Sequence, residues 1–234
     1  MSSTNLLRKL AAEAVGTFAL VFVGCGAIMV DQQTGALGHA GVCAAFGLVI
    51  MVMIAATGHV SGAHFNPAVS VAFASIRKFS WREVPGYALA QCCASIAAVL
   101  ILNMVFAATT PTVTTLGETT TTLAWPTALG VEIVLTFFLM FVITAVATDA
   151  RAEGEMAGVA IGGTVAMAAL MGGPLTGASM NPARSLGPAL IGGDLSLMGL
   201  YVIGPMIGAL LGACTYQWIQ RCDDAPATEA GGCC

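Results

Sequence analysis

Two Asn-Pro-Ala triplets carry the polar groups best suited to act on a solute in an otherwise apolar chain, one in HFNPAVS and one in SMNPARS. Their members are Asn66, Pro67 and Ala68 in the first copy, and Asn181, Pro182 and Ala183 in the second. Asparagine is a good N-cap, and proline is favoured in the first helical turn, so each triplet predicts a helix start. A helix N-terminus carries a positive partial charge, so two such ends beside one path would repel cations. The cap amides would be free to donate hydrogen bonds into that path.

Four ionisable residues also lie in or beside apolar runs: Glu13, His64, Glu132 and Arg184. An intramembrane charge is expensive, by about 2.5–3.5 kcal/mol for arginine on the lenient scale, and usually faces a protein interior or water. Arg184 is therefore expected to face a solute path, although snorkelling to the surface is an alternative. The two glutamates could relay protons, and as buried polar groups they need hydrogen-bond partners. His64 is expected to line the inner half of the path.

Composition places the chain in a membrane. The sequence has 234 residues, of which 57% are hydrophobic and 9% charged, whereas an average soluble domain is about a quarter charged. The net charge is −4 and no basic tract is present, so no nucleic-acid partner is expected. The eight cysteines show no Cys-x-x-Cys spacing, and neither His59 nor His64 has a cysteine or carboxylate at metal-ligand spacing, so no metal or cofactor is expected. The sequence also offers no catalytic constellation, which argues against an enzyme.

Hydropathy predicts an all-α membrane protein with six transmembrane helices, since a span needs roughly 20 apolar residues. The expected spans are Leu10–Val30, Gly38–Thr57, Val84–Ala107, Ala124–Thr148, Met156–Met171 and Leu195–Ile219. Two stretches that begin at the triplets are too short to cross and predict re-entrant half-helices, namely Asn66–Ser75 and Asn181–Ile191.

The cations predict the orientation. Seven of them fall on one side of the expected spans: Arg8, Lys9, Arg77, Lys78, Arg82, Arg151 and Arg221. By the positive-inside rule that side is the cytoplasm. We therefore expect a multi-pass cell-membrane protein with a cytoplasmic N-terminus (1–9), a single membrane-embedded domain (10–219) and a cytoplasmic tail (220–234). The terminal pair Cys233 and Cys234 is either lipidated or part of a reduced tail.

The chain also contains an internal repeat. SGAHFNPAVS at 61–70 matches TGASMNPARS at 176–185, 115 positions later. Each half, about 10–107 and 124–219, holds three spans, and an odd number inverts the second half relative to the first. Inverted repeats with broken helices place a solute site at their interface near the midplane. Irregular backbone at that depth is tolerated where it lines a wet cavity, which a narrow water-filled pore provides.

These motifs, with a glutamate in spans one and four, resemble the major intrinsic protein family of aquaporins and glycerol facilitators. The resemblance covers about Leu10 to Trp218. It implies the aquaporin fold, a homotetramer with one pore per subunit, and loop-holding roles for Glu13 and Glu132. It also implies a selectivity filter, whose members here would be Phe46, Ala169, Ala178 and Arg184.

The filter positions bear on the solute. Water-selective members usually have histidine where this chain has Ala169, so a wider and less polar pore is expected. The stretch GASMNPARSLGPAL resembles nodulin-like intrinsic proteins, which implies glycerol or the metalloid hydroxides boric acid, arsenite and silicic acid as solutes. Phe46 instead suits a water channel, and Ser185 stands where glycerol facilitators carry aspartate.

Three functions therefore remain under consideration. The expectation is a passive channel for water and small uncharged solutes that excludes protons and ions. A strictly water-selective aquaporin is one alternative. An ion-coupled secondary transporter is an alternative of a different class, because such transporters also use inverted repeats and broken helices.

Overall fold

Eight helices form the chain in the computed structural model, which describes residues 3–109, 113–148 and 156–220. They are α1 (Ser3–Thr34), α2 (Gly38–Ser61), α3 (Pro67–Ser75), α4 (Val84–Ala107), α5 (Trp125–Thr148), α6 (Ala157–Thr176), α7 (Pro182–Gly192) and α8 (Met198–Gln220). Six of them are long and apolar enough to cross a membrane. The remaining two, α3 and α7, have 9 and 11 residues and are too short. The predicted fold class of six spans and two half-helices is confirmed.

Most span boundaries lie within a few residues of those expected from hydropathy, but α1 begins at Ser3 instead of Leu10 and α6 is longer at its C-terminal end. The hydropathy pattern predicted an end at Met171, whereas the helix continues to Thr176. Pro174 sits in the last turn, where it removes a single backbone hydrogen bond and does not break the helix. The helix ends at Gly177, whose left-handed backbone (φ 76°) lets its N–H donate to the Gly173 carbonyl.

Both half-helices begin at an asparagine cap followed by proline. The Asn66 side chain accepts a hydrogen bond from the Ala68 N–H at 2.9 Å. The Asn181 side chain accepts from the N–H groups of Ala183 and Arg184 at 3.0 and 3.3 Å. Each cap therefore satisfies N–H groups that the first turn of a helix leaves without partners.

Each half-helix makes its most extensive helix contact with a span of the other half. Within the first half α1 packs against α2 and α4, and within the second α5 packs against α6 and α8. The half-helix α3 packs against α8 of the other half, while α7 packs against α4, and α3 and α7 contact each other. The interface between the repeats is completed by α2 against α6. The half-helices thus lie where the repeats meet.

Glycines allow the closest helix approaches. On α8, Gly204, Gly208 and Gly212 face α5, and a Cβ at Gly204 would lie 2.7 Å from the Glu132 Cβ. On the α2–α6 interface a Cβ at Gly47 would lie 2.6 Å from the carbonyl oxygen of Gly162. The glycine stripe of α8 therefore packs within the chain, which is the arrangement that favours small residues between membrane helices.

An ion pair joins the starts of α1 and α4. The Lys9 ammonium lies 3.0 Å from the Glu83 carboxylate. It places the cations near the start of α1 at the same end of the molecule as the basic loop 77–82, as the charge pattern predicts. Arg151, Arg221 and the terminal pair Cys233 and Cys234 lie outside the described residues.

Two adjacent glycines of α6 provide a matched test of this packing. Gly162→Ala would push a methyl group into the backbone of α2, whereas a Cβ at Gly163 meets nothing within 4 Å. We expect Gly162→Ala to destabilise by about 1–3 kcal/mol, the usual cost of overpacking. Gly163→Ala should be neutral or stabilising by up to about 1 kcal/mol, because alanine is the better helix former. Thermal melting of both purified variants in detergent would contradict the assigned interface if the two midpoints fell together.

Candidate functional site

The N-terminal ends of the two half-helices are joined by reciprocal hydrogen bonds. The Asn66 amide nitrogen donates to the Met180 carbonyl at 2.7 Å, and the Asn181 amide nitrogen donates to the Phe65 carbonyl at 2.8 Å. The sequence led us to expect that both asparagine amides would be free, but each donates one N–H to a carbonyl of the opposite loop. Each amide nitrogen carries a second N–H, and both asparagines line the same cavity.

The loops that precede the caps have an unusual backbone. Ala63 and Phe65 in the first loop have φ angles of 51° and 49°, and Ala178 and Met180 in the second have 44° and 52°. Non-glycine residues adopt this left-handed region at a cost of order 1–3 kcal/mol each and keep it only where their surroundings enforce it. The two loops are therefore built alike and need strong local partners.

Glu13 supplies those partners in the first half. Its buried carboxylate accepts hydrogen bonds from the backbone N–H groups of His64 and Phe65 at 2.9 and 2.7 Å. It also accepts from the Ser61 hydroxyl at 2.7 Å and from the Gln91 amide at 2.8 Å. This carboxylate thus ties the end of α2, the loop and α4 together.

Glu132 repeats the pattern in the second half. Its buried carboxylate accepts from the Thr176 hydroxyl at 2.7 Å. The backbone N–H groups of Ser179 and Met180 each donate to it at 2.9 Å. Both acids lie behind the loops and do not line the cavity.

Three further polar residues support the loops and were missed in the sequence. The Tyr87 hydroxyl donates to the Ser61 carbonyl at 2.8 Å, and the Tyr201 hydroxyl donates to the Thr176 carbonyl at 2.7 Å. The tyrosines lie 114 positions apart, nearly the offset of the motifs, and that near-match is the signal that could have found them. Gln91 was detectable only as a polar residue in a predicted span.

A cavity of about 750 Å³ runs past the paired caps. On α6 its lining residues recur at every fourth position: Ala157, Ile161, Val165, Ala169 and Gly173. At 1.5 Å of rise per residue this stripe covers roughly 24 Å, most of the ~30 Å hydrocarbon core of a bilayer. The α2 wall is lined from His39 through Phe46 and Ile50 to Gly58. The cavity therefore extends through most of the depth that a membrane pore needs.

Arg184 faces this cavity and does not snorkel to the surface. The side chain lines the cavity and the residue is only 3% exposed. Its Nη1 donates to the Gly117 carbonyl at 2.8 Å, and its Cζ lies 5.1 Å from the centre of the Phe46 ring. Gly117 has a left-handed φ of 79° and packs so closely on Cys25 that a Cβ would lie 2.7 Å from the cysteine Cβ. The Gly117 carbonyl and the Phe46 ring together hold the guanidinium in position.

The other predicted site residues divide between the cavity and its supports. Phe46, Ala169, Ala178 and His64 all line the cavity, and the Phe46 ring lies against Arg184. The His64 Nδ1 lies 3.0 Å from the Ser70 hydroxyl. The prolines and alanines of the triplets are buried at the helix starts and are not part of the lining: Pro67, Ala68, Pro182 and Ala183.

Ser185 has a structural position. It is fully buried, and its hydroxyl contacts the Ser179 hydroxyl and accepts a hydrogen bond from Thr119 at 2.9 Å. It therefore anchors the loop before α5 to α7. Within the described ranges no three His, Cys, Asp or Glu side chains come together as a metal site would require.

Comparison with known proteins agrees with this geometry. Aquaporin NIP1-4 of Oryza sativa subsp. japonica is 48% identical over 223 residues, which cover 95% of this chain and 80% of the relative. Aquaporin NIP3-1 of Arabidopsis thaliana is 49% identical, with 93% and 69% covered. A solved structure, an aquaglyceroporin from Plasmodium falciparum, has the same fold with a TM-score of 0.81 at 23% identity, and 94% and 98% of the two chains are covered.

The match to the family extends across the whole membrane region. Residues 1–216 match the family described as major intrinsic protein, and this range contains both half-helices, both buried glutamates and every cavity-lining residue named above. The aquaporin fold expected from the repeated motifs is confirmed by the same comparisons. This multi-pass membrane chain belongs to the major intrinsic protein family.

Proposed function

We propose that the protein is a passive channel for water and small uncharged solutes, and that it excludes protons and ions. One observation carries the proposal: a cavity spanning most of the bilayer depth passes two helix N-termini, two asparagine amides and a fixed arginine. These groups offer hydrogen bonds to a neutral solute without requiring any conformational cycle.

Electrostatics supports the exclusion of cations. The N-terminus of a helix behaves as about half a positive elementary charge, and the termini of α3 and α7 meet beside the cavity. The guanidinium of Arg184 adds a full charge closer to the end where α2 begins. A cation entering the cavity would meet both positive sources in a region of low dielectric, where charges are weakly screened.

The filter alanines favour solutes larger than water. We assign the filter to Phe46, Ala169, Ala178 and Arg184, and neither alanine contributes a polar group or much bulk. Relatives at 43–49% identity carry NIP aquaporin names, and the similar solved structure is titled an aquaglyceroporin. We therefore propose glycerol or metalloid hydroxides such as boric acid, arsenite and silicic acid as solutes. The Phe46 ring against Arg184 is the feature that favours the alternative, a strictly water-selective channel.

The buried acids argue against ion-coupled transport. A coupling site would need carboxylate oxygens free to bind the ion. Glu13 accepts four hydrogen bonds and Glu132 three from groups of the loops and their supports. We propose that both residues hold the loops in position, since removing a partner there would expose unsatisfied backbone groups.

The proposal also covers the orientation of the chain in the membrane and its oligomeric state. We place residues 1–9 and 220–234 in the cytoplasm, with residues 10–219 as one channel domain in the cell membrane. The end bearing Lys9 and Arg77 is then the inner end, and α2 begins at the outer end. Family membership supports a homotetramer with one pore in each subunit.

Proteoliposomes test the function directly. We expect shrinkage or swelling in stopped-flow light scattering to be faster than in empty liposomes with water, glycerol or boric acid. Solute uptake should be unchanged when sodium and proton gradients are abolished. Uptake that required either gradient would contradict a channel and favour the transporter alternative.

Ala169 provides the sharpest test of the filter. Ala169→His restores bulk and a polar donor, so glycerol and boric acid uptake should fall by about tenfold, the effect of a barrier increase of about 1.4 kcal/mol. Water flow should persist, because the imidazole can exchange hydrogen bonds with water. Ala169→Leu is the matched control with bulk but no polar group, and we expect it to slow water as well. Unchanged glycerol uptake in Ala169→His would show that this position is not part of the filter.

Arg184→Ala tests whether the guanidinium adds a barrier to cations beyond that of the two helix N-termini. Removal of the guanidinium should allow small cations or protons to leak, because only the helix N-termini would oppose them. Arg184→Lys, which keeps a positive charge, should continue to exclude protons and small cations. The measurement is proton flux into liposomes that contain a pH-sensitive dye, and background flux in Arg184→Ala would place the whole barrier at the caps.

A further inference from the structure

A backbone carbonyl on α6 lacks its normal partner. Pro174 has no N–H, so the carbonyl of Leu170, four residues earlier, cannot receive the usual i+4 hydrogen bond of a helix. His39 on α2 fills the vacancy, with its Nε2 2.9 Å from the Leu170 oxygen. Because a carbonyl only accepts, the Nε2–H must donate, which fixes the position of the imidazole across the α2–α6 interface.

The ring occupies space that a side chain on α6 would otherwise take. A Cβ at Gly173 would lie 2.7 Å from the Cε1 of His39. Gly173 follows Ala169 by one helical turn on the cavity-lining stripe of α6, and His39, Ala169 and Gly173 all line the cavity. One helical turn beyond Ala169, the cavity is therefore lined by an imidazole that comes from α2 and not from α6.

We propose that His39 is a specificity-determining residue that narrows the outer mouth of the pore one helical turn outside the filter. This inference rests on the channel function proposed above. The ring supplies, from α2, part of the bulk that Ala169 does not supply from α6. A solute that enters from outside must pass the imidazole before it reaches Phe46 and Arg184.

The same helix contains a suitable control. His59 lies on α2 near its other end and is exposed like His39, but it does not line the cavity. His39→Ala and His59→Ala therefore remove the same side chain from opposite ends of one helix. His39→Phe keeps a ring of similar size and removes both nitrogens.

The measurement is the ratio of glycerol to water permeability in proteoliposomes. We expect His39→Ala to raise this ratio by about threefold or more, a change that corresponds to the loss of one weak contact at the barrier. The ratio for His59→Ala and for His39→Phe should stay near that of the wild type. A ratio for His39→Ala equal to that of the wild type would overturn the inference.

A further measurement separates a purely structural role of His39 from a role in specificity. If His39 only stabilised the end of α6, His39→Ala would lower the melting temperature and leave the ratio unchanged. The double variant His39→Ala with Pro174→Ala restores an N–H donor to the Leu170 carbonyl, so it should recover stability while keeping the raised ratio. A stable double variant with the wild-type ratio would also overturn the inference. Wild-type protein that conducts neither water nor glycerol would instead contradict the proposed function itself.

Discussion

The structure depends on satisfying the backbone of two loops in the middle of an apolar layer. Each loop has two non-glycine residues in the left-handed region and ends at an extended asparagine, so its N–H groups find no partners within a helix. Inside a membrane an unpaired backbone group costs several kcal/mol, and water is absent from all but the pore. Glu13 and Glu132 meet this need by accepting pairs of consecutive N–H groups, which explains why two carboxylates are retained in helices α1 and α5.

Once the loops are fixed, the half-helices can meet. Each asparagine uses its oxygen to cap its own helix and one N–H to bind the opposite loop. The reciprocal bonds oppose the repulsion that two helix N-termini would otherwise feel at this distance. Each loop therefore accepts a hydrogen bond from the cap of the opposite half-helix, at Phe65 in the first half and Met180 in the second.

The sequence predicted the spans, the two half-helices, their caps and the position of the buried acids, because these follow from hydropathy, from Asn-Pro pairs and from the repeat. It did not predict the tyrosine supports or the length of α6. Tyr87 looks like an ordinary aromatic residue until its carbonyl partner on the end of α2 is known. The Leu170 carbonyl, which Pro174 leaves without its N–H donor, is contacted by His39 of another helix, 131 positions earlier in the chain. Such pairings arise from tertiary packing and leave no local pattern.

The α2–α6 interface determines the outer shape of the pore. Gly47 and Gly162 bring the two backbones into contact, which fixes the register of the two lining stripes. Phe46, next to Gly47, then reaches Arg184, and Gly24 on α1 leaves room for its ring. One further turn outward, Gly173 and Pro174 create both the space and the free carbonyl that hold His39. The bulk at each level of the pore is thus a joint property of two helices, so the residue at one filter position does not by itself set the width of the opening.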